Sequence, residues 1–216
     1  MASVPIRQID LAEMAAPTPL LTRPYRSRNA ILIAARALFR DRPADSVSVE
    51  MIAARAGVTR RTVYNQFAGA AELYRATREA LVMEVAALLP LGVAADLPPR
   101  AALRSYCCLV AQAFADARYA ELTTSVVRDG WAAPWLIDAW HRHIRLPVLR
   151  GLEAQHQALR TGGDGSRQTA VNLLAAIEAV TVAARLLPGL NADIPDCTPE
   201  LVDAFLARLC PPAALA

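Results

Sequence analysis

Arg60, Arg61 and Asn65 lie close together, and side chains of these types read base edges: a guanidinium forks onto O6 and N7 of guanine, and a carboxamide pairs likewise with adenine. Thr62, Tyr64 and Gln66, interleaved with them, carry hydroxyl and amide groups suited to phosphate or mixed contacts. Such groups need a rigid carrier, and the flanking residues encode one. Ser48 is an N-cap, and Val47 before it can pack on Ile52. Gly57 stands where a helix ends in a left-handed residue. Thr59 then caps a second helix, with Val58 and Val63 as its staple. The caps Ser48 and Thr59 therefore belong to the candidate surface with the residues they position. A turn of only about three residues forces the helices to cross steeply and turns the second outward, as a probe for a groove about 12 Å wide.

Charge supports this reading. Residues 23–70 hold nine arginines and three acids, although the whole chain has a net charge of only +3. Positive charge gathered on one segment is the footprint of phosphate neutralisation, which a merely soluble domain does not need.

The pattern Ile31-Leu32-(x2)-Ala35-(x2)-Leu38-Phe39, then Ser48-Val49-(x2)-Ile52-Ala53-(x2)-Ala56-Gly57-Val58-Thr59, then Thr62-Val63-Tyr64-(x2)-Phe67 and Glu72-Leu73, resembles the N-terminal signature of TetR-type transcriptional regulators. Ala70 stands where that family usually has a phosphate-contacting lysine, Gln66 where it often has histidine, and Arg61 where glycine is common. The resemblance implies a ligand-responsive regulator, most often a repressor, that binds a palindromic double-stranded DNA operator as a homodimer. A small hydrophobic effector would release it.

Length and composition fit two domains. At 216 residues and 55% hydrophobic, the chain can bury a core, and alternating apolar-polar runs are scarce, so an all-α fold is expected. The expected layout is a flexible arm at 1–23 and a three-helix, helix-turn-helix DNA-binding domain at 24–70. A connecting helix and linker at 71–98 then lead to a helical ligand-binding and dimerisation bundle at 99–216. Pro90 and Pro98-Pro99 mark the last boundary. No run approaches the roughly 20 apolar residues of a membrane span, so a cytoplasmic protein with no membrane partner is expected. Four cysteines without regular spacing point to reduced thiols, not to a disulfide framework or a zinc site.

No cofactor, metal or catalytic group is expected. Glu153-x-x-His156 has a di-iron spacing but no second copy, and reads as a solvated helix face. Asp138, His141 and Arg142 lack an accompanying nucleophile and read as surface. Residues 170–187 are apolar on nearly every side, as expected of a helix that packs on its own core and on a second copy, with 201–209 completing a four-helix interface.

Trp131, Trp135 and Trp140, followed by His143, are either core or the wall of an effector pocket, with Tyr106 as further lining. Pro147 denies a donor to the carbonyl of His143 and so predicts a kink beside them. Two other classes stay open: a constitutive DNA-binding dimer without effector, and a small-molecule-binding helical protein with a vestigial helix-turn-helix.

Overall fold

The computed structural model describes residues 23–159, 166–186 and 199–209, and among them there is no strand. The expected arm therefore lies outside the described residues, as do the glycine-rich break at 161–165 and Cys197 and Cys210. The helices are α1 (Arg23–Asp41), α2 (Val49–Ala56), α3 (Arg60–Tyr64), α4 (Ala70–Ala86), α5 (Pro99–Phe114), α6 (Ala117–Asp129), α7 (Pro134–Trp140), α8 (Leu146–Gln157), α9 (Ser166–Leu186) and α10 (Pro199–Leu209). A 3₁₀ turn, Ala44–Ser46, which the sequence reading did not anticipate, follows α1.

The punctuation of the N-terminal unit is as read. Ser48 accepts from the amide of Met51, and Thr59 from that of Thr62. Gly57 adopts φ 66°, and its amide and that of Val58 close onto the last carbonyls of α2. Only glycine takes that conformation without a Cβ penalty. Ile31, Ala35 and Phe39 of α1 are fully buried with Val47, Ile52, Val63 and Phe67, which makes one core beneath the corner.

α7 and α8 form one rod with a fault in it. Between α7 and α8 the backbone runs as a π turn, His141–Arg145, where the amide of Leu146 reaches back to the carbonyl of His141. Pro147 has no N–H to offer, so widening the preceding turn is how the helix passes it without breaking. α8 packs on α9 and α5, and α10 packs on α5 and α9. His156 is buried, not on a solvated face. None of the described helices is long and apolar enough to cross a membrane.

Candidate functional site

α3 is five residues long, and its inward face is Val63. Arg60, Arg61, Tyr64 and Asn65 are exposed, with Thr62 half-buried beside them. Arg61 makes no side-chain hydrogen bond or ion pair among the described residues. Arg60 reaches back to Glu50 of α2 at 3.1 Å, a surface pair easily exchanged for another partner. Thr59 and Thr62 share a hydroxyl contact at 2.9 Å, and Asn65 closes the helix as its C-cap.

Gln66 departs from expectation. Its amide nitrogen donates to Ser27 Oγ at 2.7 Å, its Oε1 is buried without a partner, and its backbone carbonyl accepts from Arg28. Arg28 also lies 4.2 Å over the Phe67 ring. The side chain thus ties α3 to α1 and is held off the exposed face. Ser48 is likewise occupied as a cap and half-buried. Ala70 opens α4 as its first residue.

Arg36, counted in sequence among the phosphate-neutralising arginines, is engaged elsewhere. Its guanidinium holds both oxygens of Glu84 on α4, at 2.8 and 2.9 Å, and both oxygens of Glu121 on α6, at 3.3 and 3.2 Å. Beside it Arg78, fully buried, donates to Ser125 at 2.8 Å and lies 3.3 Å from Glu121. Burial pulls the Arg78 guanidinium below its usual range, and Glu121 opposes that. Arg128 of α6 donates to the carbonyls of Phe39 and Arg40, capping α1, and pairs with Asp129. Asp129 in turn accepts from Tyr74 at 2.8 Å. Three helices are joined by this cluster, none of which the sequence pattern signalled.

Two cavities open beyond it. The first, about 410 Å³, lies between α4 and the α7–π segment and is walled by Arg75, Glu79, Trp135, Asp138, Arg142 and His143 among others. Arg75 lies 4.5 Å over Trp135, which contacts Tyr74 edge to face, as Tyr74 contacts Phe39 of α1. The second, about 480 Å³, lies between α6, Trp140 and α9, and is lined by Tyr119, Thr123, Val126, Val127, Ala175, Glu178 and Ala179.

The five expected lining residues are therefore dispersed. Trp135 and His143 wall the first cavity and Trp140 the second. Trp131 is 97% exposed and lines neither, because it sits in the turn between α6 and α7 with nothing over it. Tyr106 lines neither: it is buried between α5 and α8, where a Cβ on Gly151 would overlap its hydroxyl. Tyr119 and Glu178 were missed. The signal available was Glu178 itself, the single acid in the apolar stretch 170–187.

Comparison with known proteins agrees with the geometry. Residues 31–77 match the sequence model of the family described as bacterial regulatory proteins, tetR family. No curated protein matches the chain in sequence. Among solved structures, the SmeT–triclosan complex is similar, with 23% identity, 84% of this chain and 90% of that one covered, and a TM-score of 0.63. The flavonoid-responsive regulator FrrA follows with 20% identity, coverage of 85% and 95%, and a TM-score of 0.63. A TetR family transcriptional regulator from Pseudomonas syringae pv. tomato shares 22% identity over 88% and 96%, with a TM-score of 0.62. The fold is that of TetR-family regulators, a helix-turn-helix domain followed by a helical C-terminal domain, and such proteins are transcriptional regulators rather than enzymes.

Proposed function

We propose that this chain, with its tetR-family N-terminal domain, is a homodimeric, ligand-responsive regulator that represses from a near-palindromic operator and leaves it when a small hydrophobic effector binds. The observation that carries the DNA-binding half is the exposed start of α3, where Arg61 stands unengaged beside Arg60, Thr62 and Asn65 on a helix fixed from below by Val63. Two such helices would enter grooves one helical turn, about 34 to 36 Å, apart. Val171, left open on α9, supports a face for the second copy.

The effector half rests on the two cavities and on a common neighbour of one cavity and the DNA-binding unit. Residues 119, 123, 126 and 127 of α6 line the second cavity, while Glu121, Ser125, Arg128 and Asp129 hold α1 and α4. The sets are offset by two residues, which places them about 200° apart around the helix. A ligand that displaces α6 therefore moves the anchors of α1. SmeT was solved with triclosan and FrrA is flavonoid-responsive, which favours a cavity of this kind as the receiving site. By linkage, a tenfold to hundredfold loss of DNA affinity requires the ligand to prefer free protein by about 1.4 to 2.8 kcal/mol.

The test is binding to a series of mutated operator duplexes at several salt concentrations. Arg61→Ala should cost about 1 to 3 kcal/mol and relax preference at one base pair. Equal loss on every sequence would make Arg61 a phosphate contact, and absence of salt-sensitive binding by the parent protein would remove the regulator reading.

A further inference from the structure

α3 makes only about a turn and a half of helix, too little to hold its own direction. Val63 and Phe67 pin its inner side to the core, and Thr59 caps its start. Pins on one side fix the depth of so short a helix and leave it free to tilt. What meets its far end comes from α1. Gln66, just past the C-cap Asn65, donates from Nε2 to Ser27 Oγ at 2.7 Å, and Arg28 donates from Nη1 to the carbonyl of Gln66 at 3.1 Å. The Arg28 guanidinium at the same time lies 4.2 Å over the Phe67 ring. These bonds span 39 and 38 residues of chain, so they are set by the packing of α1 and not by the local turn.

A guanidinium suits this place, because a planar group stacks on a ring and donates along its edge at once, whereas an ammonium has neither the plane nor the fixed direction. Arg28 belongs by sequence to the nine arginines of residues 23–70, yet here its guanidinium is committed to the end of α3. The Gln66 side chain is half-buried and turned to α1, while Arg60, Arg61 and Asn65 stand exposed. Base contacts demand more of this clasp than phosphate contacts do. A recognition constellation must be held within about 0.5 Å and 10 to 20°, but attraction between charges fades gradually with distance and tolerates a small tilt.

We infer that Arg28 and Gln66 are positioning residues for base recognition: by gripping the end of α3 from α1, they set the direction in which Arg60, Arg61 and Asn65 meet the bases, and touch no base themselves. This rests on the DNA-binding reading above and adds the residues that turn binding into discrimination. Loss of the grip lowers preference for the operator and leaves general affinity for DNA in place.

Duplexes enriched from a random-sequence pool by the full wild-type chain supply the probe, and a scrambled duplex of the same length and base composition supplies the reference. Fluorescence anisotropy over a range of salt then compares Arg28→Lys, which keeps the charge and loses the planar stack, with Gln66→Met, which keeps the length and loses the donor. Each should lower the ratio of selected to scrambled affinity by at least about tenfold. Affinity for the scrambled duplex should stay within about twofold, with the salt slope unchanged. A wild-type ratio in either variant overturns the inference. Arg28→Ala should lower the ratio likewise; an equal loss on both duplexes with a salt slope shallower by about one would make Arg28 a phosphate contact instead. Should one variant bind neither duplex, the other decides, and loss of both duplexes by both variants reduces the clasp to a folding contact. A wild-type protein that enriches no duplex and shows no salt-sensitive binding sinks the DNA-binding reading itself, whereas a discriminating wild type with indifferent variants sinks this inference alone.

Discussion

On one side of α6, Glu121, Ser125, Arg128 and Asp129 meet Arg36, Arg78, Tyr74 and the last carbonyls of α1 in bonds mostly between 2.7 and 3.3 Å; on the other, Tyr119 and Thr123 face about 480 Å³ of open space, with the Tyr119 hydroxyl unpaired. The first side is dense and specific, and any shift of α6 must break or remake charged contacts there. The second resists nothing in particular, because apolar walls around a void lose little when they move. A helix furnished in this way is stiff towards the DNA-binding unit and receptive on its far side. On the proposed function, that asymmetry would let a weak local event on one face be read as a rigid displacement on the other.

The comparison can be broken first at its charged side. Glu121→Ala would leave the fully buried Arg78 guanidinium without its anion and release Arg36 from one of its two carboxylates, so unfolding in urea should show a loss of about 3 to 5 kcal/mol. A loss below about 1 kcal/mol would mean that the cluster behaves as an exposed pair and anchors nothing.

Two tyrosines then give the same chemical change on opposite sides. Tyr74→Phe removes the buried donor to Asp129 and should destabilise by about 1 to 3 kcal/mol. Burial, with the Asp129 carboxylate beside it, holds the Tyr74 hydroxyl above its usual range, so that donor stays protonated at any ordinary pH. Tyr119→Phe removes a hydroxyl that lies beside Glu178 and Trp140 but meets neither in full hydrogen-bond geometry, and it should leave stability within about 0.5 kcal/mol of the parent, or raise it. Paired melts of the two variants decide the matter: equal losses would show that the Tyr119 hydroxyl has a partner, and the contrast between the two faces would fall.

What could be read beforehand follows the range of each interaction. Ser48, Thr59 and Gly57 act within four residues of themselves, so caps and turn were legible from types and spacing, and the helix-turn-helix with them. That the C-terminal part is helical was legible in the same way, from the scarcity of alternating runs and the breakers at Pro90 and Pro98-Pro99. The fate of arginines was not legible, because a guanidinium looks alike in sequence whether it stands exposed, as Arg61 does, or spans two carboxylates 48 and 85 residues away, as Arg36 does. The tryptophan cluster misled for a related reason. Neighbours in sequence suggested one pocket, but the π turn after Trp140 and the exposed corner at Trp131 send the rings to different places. Gln66 was read by its position on α3, and only the approach of Ser27 from α1 turns it inward.

The notch at Gly151 has a consequence for descent. The Tyr106 hydroxyl occupies the space into which any side chain at 151 would have to begin, so neither position can change alone without a clash or a hole. Across relatives of this chain the two positions should co-vary: an aromatic ring at the first should travel with glycine at the second, and a larger residue at 151 should appear only in lineages that have already shortened the side chain at 106.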